Sequence, residues 1–163
     1  MAATLTLAGC ASTPESPGAK ALEEGLSLSP ASNQVYECLE EKGWDVTLTW
    51  DGGIEVSSAT IPTAQRDLFD EDAEACWQPI NDRIQNMGAD EISDVYQDEL
   101  TTRECLIDLG FEVGEPPSKQ EFIDTFQGLR WSAYADSNVD ASVDDEWRET
   151  NIACPQPAWS FGV

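Results

Sequence analysis

Five cysteines, 32 acidic residues and no histidine set what chemistry this chain can attempt. The cysteines are Cys10, Cys38, Cys76, Cys105 and Cys154, and no two form a CxxC pair. Without that pair and without imidazole, the usual zinc ligand patterns have nothing to stand on. The missing histidine also removes Ser-His-Asp and Cys-His catalysis and the HExxH metalloprotease helix. No GxSxG and no phosphate-cradling glycine loop occurs, and Asp51-Gly52-Gly53 reads as a hairpin turn. Carboxylates remain. Glycosidases place two of them about 5–10 Å apart across a sugar, but among 32 acids the sequence singles out no pair. No catalytic residue is assigned.

The sharpest local pattern is the stretch from Asp136 to Glu146. Oxygen-bearing side chains recur at every second position, Asp136, Asn138, Asp140, Ser142 and Asp144. These are offsets 1, 3, 5, 7 and 9 of a loop that wraps a hard cation, and the stretch resembles an EF-hand loop over this segment only. Ala141 stands where the turn glycine belongs, and Trp147 stands where the closing glutamate belongs, with Glu146 one short. The plainer reading is an acidic loop whose Asp140 or Ser142 caps the next helix. Calcium is the one cofactor this pattern suggests. Six tryptophans and three tyrosines raise a second possibility, a ring platform for a ligand such as a sugar. Trp131 and Tyr134 are close enough to share a surface, while Trp159 and Phe161 sit in the C-terminal tail. Burial in a core is the commoner use of such rings.

The elements that would position these groups are read from an internal repeat. Glu37-Cys38-Leu39, three residues, Gly43-Trp44, one residue, Val46 matches Glu104-Cys105-Leu106, three residues, Gly110-Phe111, one residue, Val113. Each match is followed by a second cysteine with Gln and Pro at the same offsets, Cys76-Trp77-Gln78-Pro79 and Cys154-Pro155-Gln156-Pro157. This predicts a tandem duplication. The shared letters specify a helix stop: a left-handed glycine, then a ring packed on the residue five before it, Trp44 on Leu39 and Phe111 on Leu106. Ser29 and Pro30 suit the start of the first helix. Trp44, Val46, Leu48 and Trp50 alternate with polar residues, predicting a strand that returns through Ile54, Val56 and Ser58. Thr63 would cap a helix through Cys76, and Pro79 to Met87 would form another, ended by Gly88. In the second copy a helix is expected over about 93–109, with Val113 in a short strand. Ser118 and Glu121 form a capping box for a helix through Gln127, with Phe122, Ile123 and Phe126 inward and Gly128 as its stop. Leu129 to Ala135 reads as a strand and Val143 to Ala153 as a helix. The fold class is α+β, a duplicated helix–β-hairpin–helix unit.

Near the N-terminus, Leu7-Ala8-Gly9-Cys10 followed by Ala11-Ser12-Thr13 resembles the lipobox of bacterial lipoprotein precursors. The resemblance concerns one residue. It implies that Cys10 is acylated on its thiol and becomes the mature N-terminus, and two acyl chains give stable membrane attachment. Residues 1–7 lack the basic and apolar regions of a signal segment, so residues 1–9 are taken as a truncated signal peptide. Residues 10–29, rich in Ala, Ser, Pro and Gly, are expected to be the anchor and a flexible tether, with a turn of helix at Ala21-Leu22-Glu23-Glu24. Repeat units come after it at 30–90 and 91–163.

With Cys10 assigned to lipid, four cysteines remain, suited to an oxidising exterior. They admit three pairings. The repeat points to Cys38–Cys76 and Cys105–Cys154, one bridge per unit. A net charge of −24 repels nucleic acid and anionic surfaces, which excludes nucleic-acid binding. The hydrophobic fraction of 40% is enough for a folded body, and no apolar run approaches the roughly 20 residues of a membrane span. The expectation is a lipoprotein on the extracellular face of a bacterial membrane, a non-catalytic binding or accessory module for an envelope protein or ligand. Alternatives are a carboxylate-dependent envelope hydrolase and a calcium-stabilised surface domain.

Overall fold

The computed structural model describes residues 17–56, 61–128 and 130–158. Its elements are α1 (Pro17–Glu23), α2 (Pro30–Glu41), β1 (Val46–Leu48), β2 (Ile54–Val56), a 3-10 turn (Thr63–Gln65), α3 (Arg66–Gln85), α4 (Ala89–Asp108), α5 (Lys119–Thr125) and α6 (Asp144–Ala153). The class is α+β, helices with one two-stranded antiparallel sheet.

Local chemistry accounts for the ends of α2 and α4. Ser29 Oγ accepts the Ser32 amide at 3.1 Å, and Pro30 occupies the first turn, where a missing N–H costs nothing. Beyond α2, Gly43 turns left-handed (φ 88°). Its amide donates to Glu40 O at 2.9 Å, and the Trp44 amide donates to Leu39 O at 3.0 Å. Beyond α4, Gly110 (φ 97°) repeats this pattern: its amide reaches Ile107 O at 2.9 Å, and Phe111 reaches Leu106 O at 3.0 Å. Both are Schellman endings, and Leu39 and Leu106 lie fully buried beneath them. Each buried leucine contributes about 1.5–3 kcal/mol of hydrophobic stabilisation.

Two disulfides staple the body, Cys38–Cys76 across α2 and α3, and Cys105–Cys154 across α4 and the end of α6. They close loops of 38 and 49 residues, each worth about 4 kcal/mol in the chain-entropy model. Three apolar clusters form the core. The first joins α2, β1 and α3 around Val35, Leu39 and Ile80. The second joins α4 and α5 around Tyr96, Phe122 and Phe126. The third gathers Leu106, Ala133, Tyr134 and Cys154. Ile84 borders the first two and Trp131 the last two, so packing runs through the whole body.

Several expectations are corrected. Composition predicts a flexible tether through Ser29, yet residues 17–23 are helical and Ser27, Leu28 and Ser29 are buried. Leu28 donates its amide to Trp50 O at 2.8 Å, and Ser27 donates its amide and hydroxyl to Asn33 Oδ1. One buried leucine and a satisfied backbone outweigh the small-residue composition. The Gly52 turn (φ 94°) lies so close to this entry that a Cβ there would stand 2.5 Å from Ser29 Cβ. The predicted strand from Trp44 to Trp50 shortens to β1, paired Val46↔Val56, Thr47↔Glu55 and Leu48↔Ile54. Ser58 lies outside the described residues.

The helix break expected at Pro79 does not occur, and α3 runs through it. Cys76 and Ile80 are buried one turn apart and hold both flanks to the core, while Ala75 and Pro79 face solvent, where water can take the orphaned carbonyl. Gly88 opens α4 instead of closing a helix; its amide donates to Glu91 Oε2 at 3.1 Å, and α4 starts at Ala89. Among the described residues, the hairpin expected after Phe111 is not formed. Val113 makes an isolated bridge to Ser137, and residues 130–135 form no strand. Pro116 and Pro117 cannot donate to a ladder, so pairing stops there. Leu129 lies outside the described residues.

Candidate functional site

The site is built around α6. Its first turn carries Asp144, Asp145 and Glu146, which the positive end of the helix dipole favours. One side of α6 is committed to the core. Thr150 and Asn151 are buried there, and Asn151 donates to Trp147 O at 2.8 Å and accepts from Gln156 Nε2 at 2.8 Å. The Trp147 ring meets Tyr134 edge-on at 5.2 Å. α1 packs against another part of α6, and a cleft and a groove lie beside what remains.

Facing the hairpin is a cleft of about 590 Å³. Its walls carry the indoles of Trp50 and Trp147 and the aliphatic Ile54. Asp51, Glu55, Asp144 and Asp145 supply carboxylates, and Arg148 is the one basic residue in the lining. The Arg148 guanidinium stands 5.8 Å from the centre of the Trp50 ring, at the outer reach of a cation–π contact. The hairpin wall is fixed by its own turn: the Thr49 hydroxyl donates to Asp51 Oδ1 and lies 3.1 Å from Gly53 O, and the Gly53 amide donates to Asp51 Oδ1 at 3.2 Å. The cleft is thus lined from both halves of the chain.

On the other side of α6 is a groove of about 640 Å³ between that helix and the end of α4. Leu109, Phe111, Val143 and Ala153 give it an apolar floor, and Asp145, Glu146 and Glu149 rim it. Leu109 is 51% exposed and Val143 45% exposed.

The calcium-loop residues are held by separate partners. Asp136 Oδ2 accepts Trp131 Nε1 at 3.1 Å, and Asn138 Oδ1 accepts the Glu112 amide at 2.9 Å. Asp140 Oδ1 accepts the Ser142 hydroxyl at 2.6 Å and its amide at 2.9 Å. Those two donors hold the Asp140 carboxyl below the usual carboxylate range. Asp144 faces the cleft instead. Among the described residues no cluster of three or more acidic or thiol side chains is arranged to hold a metal ion.

The proposed ring platform is corrected. Tyr134 is only 8% exposed, and its hydroxyl donates to Cys154 O at 2.7 Å. Burial pushes its phenol well above the ordinary value. Tyr134 therefore belongs to the third core cluster, with the half-buried Trp131 beside it. Glu99, 1% exposed, accepts the Ala133 amide at 2.8 Å and so fixes the same segment. Cys10, Trp159 and Phe161 lie outside the described residues.

Sequence reasoning missed Trp50, Ile54, Trp147 and Arg148 as neighbours. Trp50 reads as hairpin packing, and nothing local tells that residues 49–55 meet residues 141–148. The one signal in the chain was the run of acids just before Trp147-Arg148. Comparison with known proteins finds no matching family model, no matching curated protein and no matching solved structure.

Proposed function

We propose that this chain is a lipid-anchored binding module of the bacterial envelope, attached through Cys10 and built from two related units, residues 30–90 and 91–163. It engages its ligand or partner at the face of α6. The observation that carries the binding role is the cleft of about 590 Å³ between hairpin and α6, with two indoles and an aliphatic wall beside carboxylates. Rings and aliphatic surface give area and the charges give orientation, in a lining more polar than that of the usual small-molecule pocket. Two disulfides suit an oxidising compartment. Among the described residues no helix is long and apolar enough to cross a membrane, which leaves attachment to the lipid. Descent from a duplicated unit is supported by the repeated motif, by matching hydrogen bonds at Gly43-Trp44 and Gly110-Phe111, and by one bridge in each half.

The test combines fatty-acid labelling with photo-crosslinking in intact cells from position 55, beside the cleft, and from position 120, on α5. The chain is expected to take up label, to lose it in Cys10→Ala, and to give a discrete product from position 55 and none from 120. An unlabelled chain with all thiols reduced in the cytosol overturns the anchor and the compartment. No product from position 55, or equal products from both, overturns the binding role at this cleft.

A further inference from the structure

The groove on the opposite side of α6 points to the chemistry of a partner. We propose that it docks a basic amphipathic helix of another protein. This rests on the reading of the α6 face as a binding face, but concerns a groove that shares only Asp145 with the cleft.

The floor is apolar and fixed in advance. Leu109 is the last residue before the left-handed Gly110, and its amide donates to Cys105 O at 3.1 Å. Phe111 is held by the bond from its amide to Leu106 O. Cys105 is itself bridged to Cys154, one residue beyond the end of α6. A floor braced on both sides loses little freedom when something settles on it. Leu109 and Val143, each about half exposed, lie in this one groove and give it two aliphatic anchor points.

Charge selects among the candidates for its occupant. The rim residues Asp145, Glu146 and Glu149 are acidic, and no base lines the groove. A second copy would bring −24 against −24, and an anionic bilayer would be repelled. The occupant must be apolar on one side and cationic at its edges. Neither wall is a sheet edge, so an extended peptide finds no ladder to join, whereas a helix laid between helices needs only side-chain anchors. α6 has 10 residues, which makes a wall about 15 Å long. That length matches about three turns of a docking helix, with apolar anchors at i, i+3 or i+4, and i+7.

The test uses the purified, disulfide-bonded protein and a labelled synthetic helix of leucine and lysine, about eighteen residues long so that it can hold helical structure. A peptide of the same composition with its leucines scattered, and a leucine–glutamate version, serve as comparisons. The amphipathic lysine peptide is expected to bind at least about tenfold more tightly than the scattered one, and the glutamate peptide not at all. Leu109→Asn with Val143→Asn should remove about tenfold of that affinity, while Leu68→Asn, an equally exposed leucine on α3 (52%), should remove none. Glu146→Gln with Glu149→Gln should flatten the salt dependence. Equal binding of the two lysine peptides would reduce the effect to diffuse charge attraction and overturn the proposal. So would an unchanged affinity in the groove variants, or a self-associated protein that Leu109→Asn turns monomeric. Each of these outcomes is independent of crosslinking from position 55, which reports on the cleft.

Discussion

The two disulfide-bonded halves close their first helix with the same hydrogen bonds and then diverge. After Trp44 the chain keeps alternating apolar and polar residues, meets Asp51-Gly52-Gly53 and returns as β2. After Phe111 it meets Gly114 and two prolines, and among the described residues its β-pairing is limited to the Val113–Ser137 bridge. Polar side chains satisfy the backbone there instead. Arg103 Nε donates to Gly114 O at 2.8 Å, Tyr96 donates to Pro117 O at 2.7 Å, and buried Glu99 holds the Ala133 amide. One helix stop can therefore feed two different continuations. The residues downstream of the stop decide whether the backbone is satisfied by a ladder or by side chains.

Breaking the staples should have the largest effect. Cys38→Ala with Cys76→Ala, and Cys105→Ala with Cys154→Ala, should each remove about 4 kcal/mol in urea unfolding. Loop length alone separates them by only a few tenths, given spans of 38 and 49 residues. The second pair should nevertheless lose slightly more, because Cys154 (1% exposed) is more deeply buried in its cluster than Cys76 (6%) is in the first. Equal losses would mean that the two cores tolerate the change alike.

A smaller effect tests the shared element. Gly43→Ala and Gly110→Ala should each cost about 1–2 kcal/mol, since an L-residue resists the left-handed conformation. An added Cβ meets nothing within 4 Å at either site, so the cost is backbone strain alone and should be equal. Unequal values, measured in the same unfolding assay, would show that the two stops are not equivalent.

The smallest effect is peculiar to the first half. The Lys42 ammonium and then the Trp44 indole N–H donate to Asp72, at 2.7 and 2.9 Å, and hold its carboxyl below the ordinary 3.8. Its folded value is depressed, so its contribution is present above that ordinary value and fades as pH falls through the lower, folded one. Asp72→Asn should flatten stability against pH in this acid range and leave the second half's hydrogen exchange unchanged. An identical acid limb in the variant would assign the pH dependence to other carboxylates.

Features set within a few residues were legible. Ser29-Pro30, Ser118 with Glu121, and the two glycine–aromatic stops each satisfy local backbone groups, and the sequence states those groups directly. The hairpin turn belongs with them. Features set by distant packing were not. Pro79 stays in α3 because Cys76 and Ile80 are held by α2 and β1. Residues 130–135 look like a strand, yet Glu99 from α4 and the carbonyl of Cys154 take their polar groups. The calcium pattern is legible as letters, but the partners that Asp136 and Asn138 take, the Trp131 indole and the Glu112 amide, are not. The α6 face depends on the meeting of residues about ninety apart in sequence, which no window along the chain contains.

α1 packs against α6. For a chain held at Cys10, only seven residue steps separate the anchor from Pro17, a leash of at most about 25 Å when fully drawn out. Whatever reaches α6 would then have to sit in the bilayer's immediate neighbourhood, and repulsion between the protein's net charge of −24 and any anionic headgroups would hold the gap open for it.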